Sequence, residues 1–436
     1  MKKRTLITAS AVLCAAIGIG VHGQTMMGPT YDYLLPSPEG ATPEGQGFSV
    51  LQDPFSPDAI LIGTWNEQRY GRGWTHTVTR LTPHDPNWTT FQAEGLDNGL
   101  SEAQELVYNP SDRIYASGIV VVKTGTSRNS PSVFQWKVRS SVSGATGTWK
   151  DEDSFYFSAL QGKGKNATWT PQYSSAKGLT TDSDGVNPGN VYACGPASDG
   201  TTYHWVVRRK SLTANPSWDT VRSFKSGDNA SVPHEIRYFP GKPTDPDISA
   251  ALFMVGVFNG NWTVLRSTNG GTDWESVDDG WAGASAAIAY DVMCDFKGDI
   301  YVAGSRRDSG FDRGWILRRS QDGGDTWEEL LNKPHVVNSW LTCITSDDAG
   351  NVTLTGSISE PDGGTSGWGT PRWTVVRNSP NQSWEDSWNN KSFPFPGISS
   401  SGSGSLPTAN GIVFMTGRAA YPEVDRTNVG LLRMVP

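Results

Sequence analysis

Two neighbouring pairs of side chains carry the most readable chemistry in this chain, His234 with Glu235 and Tyr290 with Asp291. Cleaving a sugar chain needs two acids at a set separation, or a base with a charge neutraliser, and these residue types supply both sets. Glu235 is the first catalytic candidate, with His234 and Asp291 beside it. Arg69, Arg72, Glu102, Arg306, Arg307 and Trp340 are the candidates for ligand binding, offering charge for polar groups and an indole for stacking. Each of these also fits solvated loop charge, so the elements that position them decide their meaning. No metal or other cofactor is expected. Asp182-Ser-Asp184-Gly has the beginning of a calcium loop but lacks the downstream bidentate glutamate, and turn chemistry accounts for it.

The chain opens Met1-Lys-Lys-Arg-Thr and runs through an apolar stretch from Leu6 to Val21, then reaches Val21-His22-Gly23. This is the pattern of a cleaved signal peptide over residues 1–23, and it places the protein outside the cytoplasm, secreted or periplasmic. The remaining 413 residues hold no second apolar stretch long enough to cross a bilayer, so no membrane insertion is expected. Losing three leader cations takes the formal charge from −8 to −11, which argues against nucleic acid as a partner. Cys194, Cys294 and Cys343 lie in strand-like apolar stretches without the close spacing of a metal site, and read as small buried hydrophobes.

No sustained helical period occurs, whereas short β-branched and aromatic runs recur between Gly, Asn, Asp and Pro clusters. These runs repeat. A five-residue run ending in glycine recurs at Gly63, Gly118, Gly195, Gly256, Gly304, Gly356 and Gly417. A second run follows each, ending in Arg80, Arg139, Arg209, Arg266, Arg319, Arg377 or Arg433 and mostly containing a tryptophan: Trp74, Trp136, Trp205, Trp262, Trp315 or Trp373. A further apolar run precedes each glycine run after the first, and another tryptophan follows most arginines, so one unit reads as four strands in meander order. The glycines stand at a mean pitch of 59 residues, and seven such units account for 413 residues. The expectation is an all-β fold in which residues 24–436 form one seven-bladed β-propeller, with six blades as the alternative. The last unit stops after its third strand, so an N-terminal strand near Tyr31 to Leu35 is expected to complete the last blade.

Two units carry a sharper motif between the third and fourth strands. Ser320, Asp322, Gly324 and Trp327 fit Ser-X-Asp-X-Gly-X-X-Trp, and Ser267, Asn269, Gly271 and Trp274 fit it with Asn for Asp. The acid or amide caps the turn, glycine takes positive φ, and tryptophan fills the gap between sheets. On these motifs the sequence resembles the Asp-box, or BNR-repeat, propellers of the sialidase-like superfamily. The resemblance implies that these turns are structural and lie on the face opposite a ligand site. It does not imply a typical sialidase, because the Arg-Ile-Pro segment is missing.

In a meander, the loops between second and third strands and those entering each first strand share the other face. The candidates named at the outset fall there. Tryptophans outside the repeat, namely Trp65, Trp169, Trp281, Trp340, Trp368 and Trp388, are candidates for stacking on a ligand. The expectation is an exported, monomeric propeller that binds a glycan or protein ligand on this face. The alternatives are a glycan-degrading enzyme, either a glycoside hydrolase or a polysaccharide lyase, using carboxylates of that face, and an assembly or scaffold protein.

Overall fold

The computed structural model describes residues 31–34, 44–55, 60–68, 73–81, 91–92, 101–110, 113–123, 132–144, 148–161, 168–183, 187–212, 216–226, 231–279, 286–307, 313–333, 339–360, 370–391, 399–407, 413–421 and 426–434. The signal-peptide segment, Arg69, Arg72, Trp281 and Trp368 lie outside them.

The described chain is all-β with one short helix. Strand β1 (Tyr31–Leu34) precedes a first antiparallel meander of β2 (Glu44–Gln52), β3 (Ile60–Gln68), β4 (Gly73–Leu81) and β5 (Phe91–Gln92). A second contains β6 (Ser101–Asn109), β7 (Arg113–Lys123), β8 (Ser132–Ser141) and β9 (Lys150–Phe155). A separate hairpin, β10 (Ser158–Gln161) with β11 (Thr168–Pro171), then interrupts the pattern. The third meander is β12 (Gly178–Thr181), β13 (Val191–Ser198), β14 (Tyr203–Lys210) and β15 (Trp218–Ser226). The fourth is β16 (Val232–Phe239), β17 (Ala251–Phe258), β18 (Asn261–Ser267) and β19 (Glu275–Asp278). The fifth is β20 (Ala286–Cys294), β21 (Ile300–Arg307), β22 (Arg313–Ser320) and β23 (Glu328–Lys333).

The sixth sheet has three strands, β24 (Trp340–Ser346), β25 (Val352–Glu360) and β26 (Thr370–Asn378), followed by helix α1 (Trp384–Asn389). Among the described residues a helix stands where a fourth strand was expected. Ser383 caps the helix by accepting from the Asp386 amide, acids fill the first turn, and Trp388 is buried edge-on against Trp315. Trp388 therefore belongs to the core and is not a ligand platform. The last sheet contains β27 (Ser399–Pro407), β28 (Val413–Tyr421) and β29 (Arg426–Met434), with β1 paired antiparallel to β29 from Tyr31↔Arg433 to Leu34↔Gly430. Several four-stranded antiparallel meanders in succession are what propeller blades require.

The repeated glycines and tryptophans interlock neighbouring sheets. A Cβ on Gly256 would stand 2.2 Å from the Val232 carbonyl oxygen and 2.9 Å from the Trp205 ring of the preceding sheet. Gly304 has the same relation to Ile288 and Trp262, Gly356 to Trp340 and Trp315, and Gly195 to Ser175 and Trp136. The five third-strand tryptophans from Trp136 to Trp373 are fully buried. Core clusters accordingly run between successive sheets. Phe239, Val255 and Trp262 of the fourth sheet, for example, pack with Ala289, Val302 and Ile316 of the fifth.

The repeated arginines are also structural. Arg209 donates to the Gly270 carbonyl of the next sheet's turn at 3.2 Å, and Arg266 donates to the Gly323 carbonyl at 2.8 Å and pairs with Asp325. Arg377 pairs with Asp347 at 2.9 Å. At the Ser320 turn, Gly324 donates its amide to Ser320 Oγ (2.8 Å), Thr326 donates to Asp322 Oδ1 (2.9 Å) and Trp327 Nε1 donates to the Gly324 carbonyl (3.1 Å). The Ser267 turn repeats this with Gly271, Asp273 donating to Asn269, and Trp274. Asp182 accepts from Asn190 and from the Tyr192 hydroxyl, both at 2.8 Å, a turn-stabilising arrangement.

Candidate functional site

Six of the first strands depart from regular pairing at one place, and β12 does not. Register shifts fall between Gly47 and Ser49, Ala103 and Glu105, Pro233 and Glu235, Ala289 and Asp291, Leu341 and Cys343, and Gly402 and Gly404. The extra residue of each bulge falls outside the strand register, which re-aims its side chain. These residues are Phe48, Gln104, His234, Tyr290, Thr342 and Ser403, and Lys177 takes the corresponding place just before β12, donating its amide to Cys194 opposite. All of these residues line one cavity of about 450 Å³. They sit toward the beginning of the first strands, whereas the Ser267 and Ser320 turns follow the ends of third strands, so the two features occupy opposite ends of the sheets.

Below this ring lies a second, made by the residues after the bulges, including Ser49, Glu105, Glu235, Asp291 and Cys343. Ser49 Oγ accepts from the Leu106 amide at 3.1 Å, and Asp291 accepts from the Ile344 amide at 2.9 Å, each bond stitching one first strand to the next. Asp291 also accepts from the Val292 amide at 2.8 Å, and Glu235 from the Ile236 amide at 2.9 Å. Arg237 reaches into the acids, donating to Glu105 at 3.2 Å and standing 3.8 Å from Glu235. Cys343 and Ser405 are in contact at 3.1 Å.

Burial governs the charge states. It raises the Glu235 carboxyl well above its ordinary range; Arg237 opposes this, while Glu105 and Asp291 add to it. Glu105 and Asp291 are raised too, again chiefly by burial and again against Arg237. Burial works against the Arg237 charge, but the three surrounding carboxylates outweigh it and hold the guanidinium more firmly protonated than usual. Burial, helped by Lys177, pushes His234 down to about 3, so its imidazole is neutral near neutral pH. Lys177 is lowered by burial against the pull of Glu102, and Glu102 is raised by burial against Lys177. His234 and Tyr290 pack with ring centroids 4.9 Å apart. The cavity thus presents a neutral imidazole, a carboxyl biased by burial toward its protonated form, an amine and a phenol side by side. That combination can move protons.

The structure brings His234, Glu235 and Asp291 together at this cavity, and Glu102, outside the lining, accepts a hydrogen bond from the lining residue Gln104. Asp291 has both oxygens held by backbone amides, which makes it an anchor for β20 and β24. Arg306 and Arg307 lie at the end of β21, and Trp340 opens β24 half-buried; neither Arg306 nor Trp340 lines the cavity, and the Arg307 side chain lies outside the description. Gln104, Lys177, Arg237 and Cys343 were missed as site residues by sequence reasoning. A signal for the ring existed: Gln104, Tyr290, Thr342 and Ser403 each stand fourteen residues before a repeat glycine. Among the described residues no helix is long and apolar enough to cross a membrane.

No protein-family model matches the chain. No curated protein matches it either. Among solved structures, it is similar to the polysaccharide lyase Uly1, with 10% identity and a TM-score of 0.47 over 89% of this chain and 90% of that one. It is also similar to the NanB sialidase from Streptococcus pneumoniae, with 11% identity and a TM-score of 0.41 over 94% and 70% of the two chains. A third similarity is to Trypanosoma rangeli sialidase in complex with sialic acid, with 13% identity and a TM-score of 0.38 over 80% and 56%.

Proposed function

We propose that this chain is an exported, monomeric, seven-bladed propeller whose central cavity takes a carbohydrate and acts on it as a glycan-degrading enzyme. One observation carries the reading: six first strands aim their bulged residues into one polar cavity, where a neutral His234 and a Glu235 carboxyl biased by burial toward its protonated form adjoin Lys177 and Tyr290. In this reading His234 is the base and Glu235 the acid, while Asp291 and Arg237 position the acid and set its charge. A scaffold would have no need to keep this many titratable groups buried without full neutralisation.

The test is incubation of the purified protein with a panel of polysaccharides, scored for new reducing ends and for unsaturated products. Glu235→Gln and His234→Ala should each lower turnover by roughly a hundredfold or more. If turnover occurs and both variants retain it, the assignment of these roles is wrong. Retention of a glycan without turnover would leave the binding reading in place of the enzyme. The pH profile is a second check. His234 is a competent base above about 3, so the protonation that normally silences a histidine near pH 6.5 should be absent from the acidic limb. The alkaline limb should follow loss of the Glu235 proton and be altered in Glu235→Gln.

Ring closure in this reading uses β1, whose pairing with β29 supplies the outer strand of the last blade. A variant lacking residues 24–36 should lose cooperative unfolding or aggregate, because the edge of β29 is left open. A melting curve unchanged from the full chain would count against closure by β1.

A further inference from the structure

The cavity has an aromatic extension on one side. Tyr173 lies on the chain entering β12, its carbonyl accepting from the Ser198 amide at 2.7 Å. Side chains alternate along an extended segment, so Tyr173 shares a face with Lys177, about 13 Å away along the chain. Its ring meets Phe134 at 6.1 Å and Tyr203 at 6.3 Å between centroids. Phe134 is 39% exposed, and both tyrosines are half-buried.

The link to the cavity is direct. Gln104, a member of the bulge ring, donates to Glu102 and accepts from Lys177 Nζ at 3.2 Å. Glu102 in turn lies close enough to Tyr173 to contribute, after burial and Tyr203, to a phenol pushed up to about 12. The same sector holds the β10–β11 hairpin, which stands outside the meander pattern and stretches the spacing from Gly118 to Gly195 to 77 residues. The hairpin leads straight into Tyr173, with Gln172 donating to the Phe157 carbonyl at 2.8 Å. An addition that the blade does not need, beside a row of partly exposed rings continuous with a polar cavity, is where a ligand longer than the cavity would rest.

We infer that Tyr173, Tyr203 and Phe134 form a stacking platform for the flanking units of a linear polysaccharide, one unit of which occupies the cavity. The inference rests on the carbohydrate reading of the cavity. Sugar rings present C–H faces that pack on aromatic rings, and the two phenol hydroxyls can bond to the ring substituents. The ligand class is therefore a chain.

The probes are polygalacturonate, alginate, chondroitin sulfate and xyloglucan in native affinity gels, followed by titration with a disaccharide and an octasaccharide of the retained polymer. Tyr173→Leu and Tyr203→Leu should each weaken octasaccharide binding roughly tenfold and leave the disaccharide unchanged, while Tyr173→Phe keeps the wild-type affinity. Melting temperatures near wild type qualify the variants, and Tyr203→Leu stands in if Tyr173→Leu does not fold. Equal affinity of the leucine variants for both lengths, or an equal loss for both, overturns the platform. Lys177→Met should weaken both lengths alike. If it does so while the tyrosine variants do nothing, the platform fails and the cavity reading stands. Tyrosine-dependent octasaccharide binding that is indifferent to Lys177→Met rejects the cavity reading alone, and no retention of any polymer by the wild type rejects both.

Discussion

Gly304→Ala should fail to accumulate as folded protein, or should fold with about 3 kcal/mol or more of lost stability, whereas Gly260→Ala should cost only about 1 kcal/mol. The two glycines separate space from conformation. At Gly304 a Cβ would stand 2.1 Å from the Ile288 carbonyl oxygen and 2.6 Å from the Trp262 ring. The carbonyl belongs to the adjoining first strand, and the ring is fully buried between sheets with its Nε1 donating to Asp278 at 3.0 Å. Neither can retreat without breaking the ladder or that hydrogen bond. At Gly260 nothing lies within 4 Å of the added atom, and the cost is that of placing alanine at a φ of +80°. Denaturant midpoints of the two variants provide the measurement. Comparable losses would show that the glycine–tryptophan interlock does not hold the sheets together.

Arg237→Met should destabilise the protein by about 2–3 kcal/mol at pH 8, less than for a fully buried pair because the Arg237 side chain is 33% exposed. The loss should shrink as the pH is lowered. Glu105, Glu235 and Asp291 are all raised by burial, so the folded protein holds their protons more tightly than the unfolded chain does. Their contribution to stability is therefore most favourable below the ordinary carboxylate range and declines as pH rises through it toward the raised values. Arg237 lowers all three, and without it the decline is steeper and continues to higher pH. Melting temperatures of wild type and variant should converge near pH 4 and diverge toward pH 8. A gap independent of pH would mean that Arg237 acts through packing and not through charge.

Both experiments bear on the proposed chemistry, because the interlock places the first strands and the acid cluster sets the protonation of Glu235. The Ser267 and Ser320 turns matter differently. Their bonds are local, Asn269 and Asp322 serve the hairpins they belong to, and they lie at the far end of the sheets from the bulge ring.

The sequence by itself determined the repeating unit. A glycine that admits a neighbouring backbone, a tryptophan that fills the space beside it and an arginine that ties the strand end to the next turn recur because every sheet meets its neighbour in the same way. Such contacts leave a period in the chain, and the order of strands follows from it. The adjacency of His234 and Glu235, and of Tyr290 and Asp291, was legible for the simpler reason that neighbours in sequence are neighbours in space. The helix that replaces one outer strand was not legible, since Trp384 occupies a repeat position and only the Ser383 cap and the burial of Trp388 against Trp315 turn the segment helical.

Only the tertiary structure decided which of the many polar residues face one another. Glu105 and Arg237 are 132 residues apart, and no local pattern pairs them. The cavity wall takes one bulged residue and its neighbours from each of six strands and Lys177 from the chain entering β12, so its composition has no period even though its positions do. Packing repeats because the same kind of surface meets at one junction between successive sheets after another. The charges at the centre meet once, and their protonation follows from burial that exists only when the sheets are assembled.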